Sequence, residues 1–116
     1  MLQKHTILVV SRDPHLSDVR KRTLENSGFH VLSAETAEAV RTARVDQKPS
    51  LVMIGYSVSP AEKRRVWLAA REFCKTPVLE LHKQGHPELM APAFFHEAHA
   101  PDDFVEAVKR VLQNPI

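Results

Sequence analysis

The chain has 116 residues, 43% of them hydrophobic, with 16 Lys and Arg against 14 Asp and Glu and a formal charge of +2. That length gives one domain, residues 1–116, able to bury about two-thirds of its unfolded surface, and so small a charge excess excludes a surface built to track nucleic-acid phosphates. The single cysteine, Cys74, excludes an internal disulfide, and no apolar stretch reaches the length of a membrane span or the pattern of a signal peptide, so the chain reads as soluble and cytoplasmic.

Thr6-Ile7-Leu8-Val9-Val10 is a β-branched run and predicts a first buried strand. Asp13 can cap a helix with Pro14 at its first position, after which Leu16, Val19, Thr23 and Leu24 share one face and Gly28 ends it. Phe29-His30-Val31-Leu32 is short, as an edge strand is. Ser33 then offers a cap, Glu35 an acid for the first turn, and Ala37, Val40 and Ala43 a narrow apolar stripe.

Leu51-Val52-Met53-Ile54, bounded by Pro49-Ser50 and Gly55, reads as a strand buried on both faces in the middle of a parallel sheet. Ser59-Pro60-Ala61-Glu62 is a capping box opening a helix that carries Val66, Ala69, Ala70 and Phe73 inward, with Trp67 beside them and Lys63-Arg64-Arg65 as a solvated face. Cys74 follows as a small buried hydrophobe. Residues 77–81 and 93–96 predict two further strands, and the stretch between them has room for barely two helical turns around Glu88-Leu89-Met90. Pro101-Asp102-Asp103 starts a last helix with Phe104, Val105, Ala107, Val108, Val111 and Leu112 inward. Strand and helix alternate, which predicts a five-stranded parallel sheet with helices on both faces.

In such a sheet ligands and catalytic groups gather outside the carboxyl ends of the strands. After the central strand those positions hold Gly55, Tyr56 and Ser57, with no carboxylate, thiol or imidazole among them. A chain with three glycines also shows no glycine-rich phosphate loop and no nucleophile–base pair, which argues against an enzyme.

Taken in order, Ile7-Leu8-Val9-Val10 with Asp13-Pro14-His15-Leu16, then residues 28–32 (GFHVL), residues 48–54 (KPSLVMI) and residues 101–108 (PDDFVEAV), resemble the receiver domains of bacterial response regulators over nearly the whole chain. The resemblance implies the flavodoxin-like (CheY-like) fold with strand order 2-1-3-4-5, here with a shortened fourth helix. It also implies an acidic metal pair after the first strand, a phosphoacceptor Asp after the third, a hydroxyl after the fourth and a lysine after the fifth. Here the acidic pair falls on Ser11 and Arg12, with Asp13 alone retained beside it. The acceptor falls on Gly55, or on Tyr56 when counted back from Pro60, the hydroxyl on His82 and the lysine on Glu97.

A hard divalent cation wants oxygen ligands, and a phosphoaspartate needs the metal and an ammonium to neutralise it. These substitutions therefore imply a degenerate receiver without catalytic residues, phosphoacceptor, metal or other cofactor. It would act in signalling through a protein partner or a second copy of itself. Leu89, Met90, Phe94 and Phe95, left with less cover by the short fourth helix, are the candidate interface. The alternative is a small-molecule or metal sensor using the vacated cleft around His82, His96 and Glu97, with His86 and His99 near by. Arg12 and Glu97 carry exchanged charges across that cleft and are expected to pair.

Overall fold

The computed structural model describes residues 5–72, 76–83, 89, 94–97 and 103–113, with residues 44–47 described in backbone only. Strands β1 (Thr6–Val10), β2 (His30–Ala34), β3 (Leu51–Ile54), β4 (Val78–His82) and β5 (Phe94–Glu97) alternate with helices α1 (Pro14–Asn26), α2 (Ala37–Gln47) and α3 (Pro60–Arg71), and α4 (Phe104–Gln113) closes the order. All pairs are parallel and the sheet runs β2-β1-β3-β4-β5, the flavodoxin-like order.

Successive residues of a strand face opposite sides, so each buried strand feeds two cores. Ile7, Val9, Leu51, Met53, Leu79 and Leu81 pack against Leu24 of α1 and Phe104, Val108 and Val111 of α4. Leu8, Val10, Val52, Ile54 and Val78 pack against Ala37 and Val40 of α2 and Val66, Ala69 and Ala70 of α3. The run Leu51–Ile54 is wholly buried, as a central parallel strand requires.

The helix starts follow the local chemistry, with two corrections. Asp13 caps α1 by accepting from the N–H groups of His15 and Leu16, and Ser59 caps α3 by accepting from Glu62 N–H. Gly28 takes the left-handed conformation that ends α1, φ +95°. Ser33, expected to cap α2, lies inside β2; Thr36 Oγ1 accepts from Ala39 N–H instead. Nor is the capping box reciprocal. Glu62 Oε1 turns away from its own helix to accept from Ala37 N–H, the first residue of α2, at 3.2 Å, so a carboxylate of α3 sits at the positive end of α2.

Among the described residues three charged side chains are buried against expectation: Arg20 on α1, Lys63 on α3 and Glu80 on β4, 4%, 3% and 0% exposed. Lys63 belongs to the run read as solvated, and of that run Arg64 and Arg65 are exposed. Residues 83–93 connect β4 to β5; the shortened fourth helix expected there, like Phe73 and Cys74, lies outside the described residues.

Candidate functional site

The carboxyl edge of the sheet is built from the turns after β1 and β3 and the last residues of β4 and β5. Ser11 follows β1 and is buried, its N–H donating to Ala34 O at 3.2 Å. Its hydroxyl lies 3.2 Å from both Asp13 N and Asp13 O, and 3.5 Å from the Ser57 hydroxyl. Asp13 Oδ1 is occupied with the start of α1, at 2.9 Å from His15 N and 3.3 Å from Leu16 N. Arg12 is exposed, and its field falls on Glu62. The expected Arg12–Glu97 pair is not among the ion pairs of the described residues; the charge of Arg12 is felt at Glu62 instead.

Gly55 follows β3, with its N–H donating to Val10 O at 2.9 Å and its carbonyl accepting from Val58 N–H at 3.3 Å to close the turn. A Cβ added there would collide with the guanidinium of Arg20. Thus the space where a side chain at the acceptor position would begin is filled by an arginine from α1. Tyr56, half-buried in the same turn, lies close to the same group, with the Arg20 Cζ 4.9 Å from its ring centroid. Lys83, just beyond β4, places its Nζ 4.6 Å from that centroid.

Burial lowers the pKa of Arg20 from its ordinary value, opposed by Tyr56 and by the charge of Asp13. A guanidinium titrates so high that it keeps its charge regardless. Arg20 Nη1 is fully enclosed without a hydrogen-bond partner among the described residues.

His82 and Glu97 end β4 and β5 and are register partners. His96 precedes Glu97 and faces the other side of the sheet, where its Nε2 stands 3.1 Å from Asp103 Oδ1, near but not aligned as a hydrogen bond. The sheet's alternation thus keeps His96 from converging with His82 and Glu97. Among the described residues no group of three or more His, Cys, Asp or Glu side chains is placed to hold a metal; His86 and His99 lie outside them.

The interface candidates divide. Leu89 is buried in the α2 and α3 core, its N–H donating to Glu80 Oε1 at 2.9 Å. Phe94 is half-buried against the α4 side, Phe95 on the opposite face of β5 is 39% exposed, and Met90 lies outside the described residues. Phe94 and Phe95 line a shallow apolar hollow of about 240 Å³ with Leu79, Ala107, Arg110 and Val111.

Beneath the other face, Lys63 Nζ meets Glu80 Oε2 at 2.7 Å, with the side chains 4% and 0% exposed. Sequence reasoning missed Arg20, Lys63, Glu80 and Lys83. Signals for three of them exist: Arg20 stands midway between Leu16 and Leu24 at four-residue spacing, Lys63 precedes Val66 and Ala70 by three and seven, and Glu80 interrupts a buried apolar strand. Lys83, exposed beyond a strand end, carries none.

No family model matches the sequence, and no curated protein matches it. Solved structures do. A response regulator from Chloroflexus aurantiacus, described as putative, superposes with a TM-score of 0.74 at 21% identity, covering 97% of this chain and 100% of that one. A CheY-like response regulator receiver domain from Methanospirillum hungatei gives 0.76 at 20% identity, covering 96% and 95%. The N-terminal domain of a response regulator/sensory box/GGDEF three-domain protein from Carboxydothermus hydrogenoformans gives 0.75 at 18%, covering 93% and 94%. The fold of this chain is the CheY-like fold of response-regulator receiver domains.

Proposed function

We propose that the chain is a receiver-like signalling module that works by protein–protein contact or self-association without aspartyl phosphorylation. The observation that carries this reading is the guanidinium of Arg20 standing against Gly55, in the place of a side chain at the acceptor position. Phosphoryl transfer to a receiver needs a carboxylate nucleophile and a divalent cation held by oxygen ligands. At the corresponding positions this chain offers Gly55, a buried Ser11 and the cation Arg12, and Asp13 is spent on capping α1. We read the module as a cytoplasmic binding domain rather than an enzyme; no described helix is long and apolar enough to cross a membrane.

The contact surface we favour is the outer edge of the sheet, where Phe95 is exposed on β5 beside the apolar hollow against α4. Edge strands with exposed aromatic groups are ready contact surfaces.

Two measurements test the reading. Incubation with Mg²⁺ and acetyl phosphate should leave the intact mass unchanged, and Mg²⁺ should not move the amide resonance of Gly55; a stable phosphoryl adduct overturns phosphate independence. In sedimentation equilibrium the wild type should self-associate, or bind its partner, and Phe95→Asp should weaken that contact at unchanged stability. A wild-type monomer at high concentration whose partner binding ignores Phe95→Asp removes the proposed surface.

A further inference from the structure

The outer side of α3 divides into two flanks of different chemistry. Between them Leu68, 58% exposed, is the most exposed large hydrophobic side chain among the described residues. On the flank towards α2 the charges are matched: Arg65 Nη1 meets Glu62 Oε2 at 3.0 Å, and Arg41 Nε of α2 donates to Glu72 Oε2, also at 3.0 Å. On the other flank they are not. Arg64 is exposed and belongs to none of the ion pairs of the described residues, and neither does Arg71. Arg71 Cζ stands 5.7 Å from the ring centroid of the half-buried Trp67, a contact that positions the guanidinium without neutralising it.

Arg64, Leu68 and Arg71 follow one another at spacings of four and three, so they form one stripe along the helix. At a rise of about 1.5 Å per residue, the two arginines stand roughly 10 Å apart along the axis, with Leu68 between them. Unmatched positive charge on both sides of an exposed apolar group sets the chemistry of what fits: a carboxylate for each cation and an apolar side chain for Leu68. Arginine forks bind carboxylates bidentately, and Trp and Arg are the residues in which interface energy concentrates. A nucleic-acid backbone would meet the guanidiniums but offers nothing to the leucine between them. A bilayer takes up a broad apolar face, and α3 exposes Leu68 alone among its large apolar side chains.

We infer that this stripe of α3 is a docking site for an acidic amphipathic helix of a protein partner, which sets an apolar side chain against Leu68 and Trp67 and a carboxylate on each of Arg64 and Arg71. Two acids two turns apart on the partner helix span the same distance as the two arginines. The site lies on a different element from Phe95, and it stands whether or not the outer edge of the sheet is a contact surface.

The test is a selection of random peptides displayed on phage against the full chain, with the enriched sequences then measured as synthetic peptides by fluorescence anisotropy. Those sequences should carry Asp or Glu about two helical turns apart with Leu, Ile or Phe between them. Arg64→Gln and Arg65→Gln remove the same charge from neighbouring exposed positions, and so separate a defined site from general attraction. The first should weaken binding at least ~10-fold, as loss of an interface anchor does, and the second less than ~2-fold. Leu68→Ser should also weaken it at least ~10-fold with the urea midpoint unchanged, since the residue is exposed, while Phe95→Asp should leave it as it was. The site is overturned by selected peptides without acidic enrichment, by equal losses for Arg64→Gln and Arg65→Gln, or by indifference to Leu68→Ser. Tighter binding to phosphatidylcholine vesicles with about 30% phosphatidylserine, or to duplex DNA, than to the best peptide also overturns it. Binding lost with Phe95→Asp but not with Leu68→Ser overturns it too, and leaves the sheet-edge contact standing.

Discussion

The two faces of the sheet each bury a cation, and they treat it in opposite ways. On the α2 and α3 side, Lys63 meets Glu80 at 2.7 Å, and the other oxygen of Glu80 accepts from Leu89 N–H at 2.9 Å, so charge and hydrogen bonding are satisfied together and the β4–β5 connection is tied to the sheet. On the α1 and α4 side, Arg20 lies against Gly55 and beside Tyr56, with Nη1 unsatisfied among the described residues. A satisfied buried pair is a structural fastening. A buried cation held mainly by an aromatic neighbour, with one donor left over, is a looser arrangement.

The largest expected effect breaks the satisfied side. Lys63→Ala or Glu80→Ala alone leaves an uncompensated buried charge and should cost about 3–5 kcal/mol in urea unfolding, whereas Lys63→Met combined with Glu80→Leu should recover most of that loss. Single and double variants of equal stability would mean that the pair is not held as described.

Next in size is the contact between α1 and the turn after β3. Gly55→Ala forces a Cβ onto the guanidinium and should cost about 1–3 kcal/mol, as overpacking does. Arg20→Met should change stability by less than about 1 kcal/mol, because it removes an unsatisfied donor while keeping an apolar stem. Together they should cost less than their sum, with a coupling above ~0.5 kcal/mol. Additive effects would show that Arg20 does not occupy the space beside Gly55.

The smallest effect is a pH dependence. Glu62 is held below the usual carboxylate range, first by the hydrogen bond from Arg65, with Ala37 N–H and the charges of Arg65 and Arg12 adding to it against the opposing effect of burial. A carboxyl whose folded value is depressed contributes stability above its unfolded value of about 4.3 and loses it as pH falls through the folded value. Glu62→Gln should therefore lower the Tm slightly at pH 7, and the difference should fade in acid only as pH drops through the depressed folded value. A difference that persists in acid would trace the effect to packing.

Much of the fold could be read along the chain because its causes are local. Apolar runs placed all five strands, Asp13-Pro14 and Ser59-Pro60 placed the starts of α1 and α3, and Gly28 the end of α1. Where a cap depended on where a strand stopped, as at Ser33 and Thr36, the reading slipped by three residues.

What sequence by itself determined, then, was the order of elements, their buried stripes, and the want of a carboxylate at Gly55: each is a property of one residue or of spacing within one element. The tertiary structure alone decided which groups meet. Lys63 and Glu80 are 17 positions apart and Glu62 and Ala37 are 25 apart, and nothing in either segment names its partner. The same holds for Arg20, whose helical spacing turns it inward but whose position against Gly55 exists only because α1 packs over β1 and β2 and the long side chain reaches the turn after β3. A charge is placed in sequence by its own element, but the field it feels is set by the elements folded onto it.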